Sequence, residues 1–120
     1  MRFMLMVKAN SKSEAGAPPD PKLMAAIGNL TEEMSKAGVL VGTGGLLPSS
    51  AGARVRLSGG KITVTDGPFT EIKELIGGYA IVDVKSKEEA IEMAKRFLQI
   101  HADILGPEYE ADSEVRQMFG

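Results

Sequence analysis

KITVTDGPFTEIKELIGGYAIVDV, residues 61–84, decides how the rest of the chain is read. It opens on an alternating run, Lys61 to Thr65, and breaks at Asp66-Gly67-Pro68-Phe69. After a charged connection it resumes at Gly77-Gly78-Tyr79 as a nearly continuous apolar run to Val84. Alternation marks a strand with one wet face, and a continuous apolar run marks a strand covered on both, so two strands flank one polar corner. Polar groups held between strands can carry chemistry, but no complete nucleophile set, metal cluster or phosphate loop accompanies this corner.

Immediately upstream, Arg54-Val55-Arg56-Leu57 alternates too, and Gly59-Gly60 can take the positive dihedrals of a tight turn. That predicts an antiparallel hairpin with one wet face. Arg54 and Arg56 project together from the polar side, a candidate anion site whose plain alternative is a solvated strand face. Gly42-Thr43-Gly44-Gly45 lacks the Gly-Lys-Ser/Thr ending of a phosphate loop, and LLPSSAG after it opens no helix, so a bulge or close backbone approach is expected there.

Further out, Arg2 to Ala9 puts Phe3, Leu5 and Val7 on one side and Met4 and Met6 on the other, the pattern of a central strand. Asn10 to Pro21 is rich in Gly, Pro, Ser and charge and reads as an exposed loop, either a connector or a flap over a pocket. From Pro21, the residues Leu23, Ile27, Leu30, Met34 and Ala37 form a helical stripe, with Asp20 as cap and Gly38 as left-handed stop before a strand opening at Val39-Leu40-Val41. Past the Tyr79–Val84 strand, Ser86 and Glu89 form a capping box for a helix that packs Ala90, Ile91, Ala94, Phe97 and Leu98 and persists to Leu105, where Gly106-Pro107 stops it. Ser113 to Phe119 reads as the last strand. The order strand, helix, strand, inserted hairpin, strand, helix, strand predicts an α+β fold, a ferredoxin-like βαββαβ sandwich with both helices on one sheet face. The uncovered face predicts a sheet-to-sheet homodimer, with the seven methionines filling core and dimer face.

Composition sets the outer limits. At 120 residues with 43% apolar content the chain fits a single domain, residues 1–120. A net charge of -2 and pI near 5.4 provide no basic field for nucleic acid or anionic membrane, and the short apolar N-terminal run suits neither a signal segment nor a span. With no cysteine there is no disulfide or thiolate, which suits a cytoplasmic setting.

Asp66 to Glu74, DGPFTEIKE, resembles the DGPFAETKE signature of the YCII-related (DGPF-domain) family, departing at Thr70 and Ile72. GVLVGTGGLLPS at 38–49, ELIGGYAIVDVKSKEEAIEMAKRF at 74–97 and VRQMF at 115–119 also look like family segments, so the resemblance covers nearly the whole chain. It implies a ferredoxin-like dimeric alpha-plus-beta barrel and a site near the dimer or sheet cleft, with Asp66 in the place of the family aspartate. It also permits a regulatory link to sigma factors, beside which relatives are often encoded. The YCII branch looks like a His-Asp enzyme with an early histidine. The only histidine here is His101, so that position has no counterpart, and LQIHADILGPEYEAD at 98–112 is unlike the usual short link.

Asp66 is therefore the candidate catalytic residue, a general acid or base if partly buried beside Tyr79 or under the Asn10–Pro21 loop. Its plain alternative is turn chemistry, the carboxylate accepting from amides of its own corner across a trans Gly67-Pro68 bond. Lys73, the one cation of the corner motif, and Tyr79, an amphipathic ring, are candidate ligand contacts along with Arg54 and Arg56. His101 with Asp103 and Glu108 does not make a metal set, and neither metal nor cofactor is expected. Three functions fit: a small-ligand-binding or regulatory domain, which ranks first; a cofactor-free enzyme built on Asp66; and a structural dimerisation module.

Overall fold

A computed structural model describes residues 1–120. The first strand, β1 (Arg2–Lys8), buries Phe3 and Leu5 and leaves Met4 and Met6 half-buried on the opposite face, as its alternation requires. It is central. One neighbour is β5 (Ile76–Asp83) and the other β6 (Ser113–Gln117), while β2 (Leu40–Gly45) lies outside β5, so the antiparallel order is β2-β5-β1-β6. Phe3 pairs with Val82 and Leu5 with both Ala80 and Val115, which sets these side chains on one face. That face is covered by α2 (Pro21–Lys36) and α3 (Lys87–Leu105): Leu30, Met34 and Ala90 close the core over Phe3, Leu5, Val82 and Val84. The architecture is α+β and consistent with a ferredoxin-like fold. No helix is long and apolar enough to cross a membrane.

Local chemistry sets the helix ends. Asp20 accepts the Lys22 amide at 2.8 Å with Pro21 first in α2, and Gly38 turns the chain out at φ +74°. Ser86 accepts the Glu89 amide, but the Glu89 carboxylate takes the Lys85 amide rather than that of Ser86, so the expected capping box is shifted by one residue. Gly106, at φ +91°, ends α3 after Leu105 as read from the sequence. His101 is buried in the last turn, its Nδ1 donating to the Phe97 carbonyl at 2.8 Å and its ring between those of Phe97 and Tyr109. It is a packing residue. An exposed Arg96–Glu33 ion pair joins α3 to α2, and the Arg96 guanidinium holds the Glu33 carboxyl below its ordinary range.

Four local expectations need correction. The Asn10–Pro21 segment is not all loop: Ser11–Glu14 forms a single-turn helix, α1, because the Asn10 side chain accepts the Ser13 amide while Ser13 reciprocates. The last strand stops at Gln117, leaving Phe119 fully exposed. The fifth strand starts at Ile76: Gly78 pairs with Val7 of β1 and Gly45 of β2, and Gly77 is the residue passed over where the β1 register shifts between Val7 and Lys8. The hairpin, β3 (Ala53–Ser58) and β4 (Lys61–Asp66), turns at Gly59-Gly60 as expected but forms a separate two-stranded sheet with every residue exposed, so neither of its faces is dry within the chain.

Phe3, 1% exposed at the centre of the covered face, is the most demanding core position. Phe3→Ala should cost about 3–5 kcal/mol, read as a lower midpoint in guanidinium unfolding. A loss below about 1 kcal/mol would contradict a core seated there.

Candidate functional site

The polar corner after β4 is built by close backbone approach. A Cβ on Gly67 would stand 1.8 Å from the Ser49 carbonyl oxygen, so no other residue fits without moving that backbone. The Gly67 amide donates to the Gly52 carbonyl at 3.0 Å, and the Gly67-Pro68 bond is cis, where the sequence favoured trans. Ser49 then works in both directions. Its hydroxyl accepts the Phe69 amide at 3.0 Å and donates to the Glu14 carboxylate at 2.7 Å, while its own amide reaches the two carboxylate oxygens at 3.0 and 3.1 Å. Glu14 ends α1, and the Asn10 cap of that turn also donates to the Tyr109 hydroxyl at 3.4 Å. Three separate segments, the Asn10–Glu14 turn, the Pro48-Ser49-Ser50 bend and the Gly67–Phe69 corner, are thereby tied together.

Asp66 takes no part in that framework. It is exposed at the end of β4 opposite Ala53, and none of the side-chain hydrogen bonds or ion pairs of the chain ends on its carboxylate. The turn-capping alternative for this aspartate is thus corrected: the amides nearest it donate to Gly52 and Ser49 instead. By strand alternation Asp66 shares a face with Val64, Ile62, Val55 and Leu57, which are 66%, 71%, 67% and 72% exposed.

The other candidates lie on different surfaces. Arg54 and Arg56 occupy the opposite face of the hairpin, where the Arg54 guanidinium sits 4.1 Å from the centre of the half-buried Phe69 ring. Lys73 is exposed in the single helical turn Ile72–Glu74. Tyr79 is half-buried on the helix-free face of the sheet, its ring so close over β2 that a Cβ on Gly44 would lie 3.0 Å from Cε1. That contact, with the register shift between Leu40 and Gly42, is the close approach and bulge read from the glycine run. The two best-formed depressions are shallow and lie elsewhere, one along α3 at Glu88, Glu92 and Arg96 and one beside the C-terminal residues, and neither is lined by any of these candidates.

Glu14 and Ser49, which hold the corner, went unrecognised in the sequence. The signal available was the Asn10-x-x-Ser13 capping pattern, which would have turned part of the loop into a helix and fixed the position of Glu14.

Comparison with known proteins adds a family. The model of the YCII-related domain matches residues 1–105, a span that includes the Glu14–Ser49 clasp, the hairpin, the corner and α3. A protein of Rhizobium meliloti (strain 1021), itself described as uncharacterized, is 34% identical over 76 residues, or 63% of this chain. The match spans 61% of that relative's length.

Glu14→Ala should release the clasp. Losing hydrogen bonds to a charged acceptor costs about 1.5–3 kcal/mol, and amide exchange at Ser49 and Phe69 should quicken while β1 amides keep their protection. Unchanged exchange at both positions would show that Glu14 does not hold the corner.

Proposed function

The chain belongs to the YCII-related family, and from that premise we propose that it works as a small-ligand-binding or regulatory domain, paired as a homodimer, with Asp66 as its charged contact to a small polar molecule. One observation carries the reading. The corner around Asp66 is fixed by Gly67, Ser49 and Glu14, yet the carboxylate itself is unpaired, so the framework has no use of its own for the charge. A charged group on a rigid scaffold, free of internal partners, is preorganised for an external one.

The homodimer supplies what one chain lacks. Helices cover only one face of the sheet, and Met4, Met6, Tyr79 and Ile81 remain half-buried on the other. Two copies turning these faces toward each other would form a dimeric alpha-plus-beta barrel and enclose an otherwise open surface. Arg54, Arg56, Lys73 and Tyr79 are the further contacts in this proposal, with Arg54 already steadied on Phe69.

Asp66→Asn separates this reading from a structural role. Because the carboxylate holds nothing within the chain, the variant should melt within about 3 °C of the parent, as surface changes do. In a thermal-shift screen of small polar metabolites, a compound that stabilises the parent should fail to stabilise the variant. A lower melting temperature without ligand, with any ligand response unchanged, would favour the structural role instead.

A further inference from the structure

An isolated two-stranded hairpin is marginal in water and needs a third strand, a helix or another surface against its apolar side. The β3–β4 hairpin has none within the chain. Its register pairs Val55 with Val64 and Leu57 with Ile62, a ladder of four side chains on one face, all about two-thirds exposed. The chain also carries a second uncovered apolar surface. On the helix-free face of the sheet, Tyr79 and Ile81 stand opposite Gly44 and Gly42 of β2, so on that side nothing rises above the backbone and the Tyr79 ring lies against Gly44, while Met6 and Met4 of β1 flank them on the other side. An apolar ladder and a low apolar seat in the same chain are complementary elements for reciprocal exchange between two copies.

Resting on the homodimer reading above, we infer that the hairpin of each chain lays its Val55-Leu57-Ile62-Val64 ladder on the partner's Tyr79 and the partner's Ile81, making the ligand site composite. Asp66 stands at the foot of the ladder on the same face, so seating the ladder carries this carboxylate to the edge of the partner's Tyr79. The site is then incomplete in one chain: seating the ladder joins Asp66 to the partner's Tyr79 and leaves Arg54 and Arg56, on the other face of the hairpin, outside this composite part.

The area is sufficient for a second copy. Four side chains at this exposure form a patch on the order of 400 Å². Each chain would bury its own ladder and the exposed part of its half-buried seat, about 550 Å², so the two copies together bury on the order of 1,100 Å², just past what a specific interface needs. Two-fold symmetry makes the exchange self-closing, since each arm and each seat is used once. Arg54 and Arg56 face away from the contact and bring no unpaired charge into it.

The chain has no cysteine, which makes the test clean. In sedimentation velocity the parent should run as a dimer and Leu57→Asp/Ile62→Asp as a monomer with an unchanged far-ultraviolet spectrum, while Thr63→Asp on the opposite face stays dimeric. With a short bismaleimide, Ile62→Cys/Ile81→Cys should give a covalent dimer and Ile62→Cys alone should not. A parent dimer that persists in Leu57→Asp/Ile62→Asp overturns the exchange and leaves the homodimer reading standing. A monomeric parent ends both. A covalent dimer from Ile62→Cys alone would place hairpin against hairpin, and its absence from the double-cysteine variant would remove the seat; either result overturns the inference.

Discussion

The register of β1 against β5 is the constraint on which the rest depends. Phe3 opposite Val82 and Leu5 opposite Ala80 send one set of side chains toward the helices. A slip of β1 by one residue would put Met4 and Met6 in place of Phe3 and Leu5 beneath the helices and turn Phe3 and Leu5 out to the helix-free face, breaking the packed core. Flanking interactions pin the register at both ends: Val84 donates to the Met1 carbonyl and the Ala9 amide donates to Leu75. With that pairing fixed, α2 and α3 fall on the same side, and the helix-free face is a necessary remainder.

The corner shows a division of labour between residues that hold and a residue that is held. Gly67 allows two backbones to meet, Ser49 passes hydrogen bonds between them, and Glu14 anchors Ser49 from a different part of the chain. Each of these roles is satisfied without Asp66. Function-bearing groups often sit on loops positioned by a rigid support, and here the support is made of hydrogen bonds and a steric exclusion more than of apolar burial. The hairpin above it contributes no core residue, yet it spends four apolar side chains on water.

Much of the fold was legible because its signals are periodic. The α2 stripe of Leu23, Leu30 and Met34, the alternation in β1, the Gly59-Gly60 turn and the stops at Gly38 and Gly106 all read correctly. The hairpin was found as a hairpin, but its expected dry face was not, since alternation shows that one side is apolar and cannot show what covers it. The corner was legible as a motif and opaque as a mechanism. Glu14 and Ser49 are 35 residues apart, and nothing periodic links a carboxylate in a polar loop to a serine in a proline bend. The cap on α1 was missed for a related reason: one turn of helix is too short to carry an apolar period, so only Asn10 and Ser13 marked it.

Tyr79 lying on bare backbone has an optical consequence. The chain has no tryptophan and two tyrosines, so its intrinsic emission reports from two addresses. Tyr109 is stacked on His101 near the C-terminal strand, while Tyr79 rests over Gly44 on the open face of the sheet. The protein therefore carries a built-in fluorophore on its helix-free sheet face, and a change in tyrosine emission or near-ultraviolet dichroism would register contact there without any label.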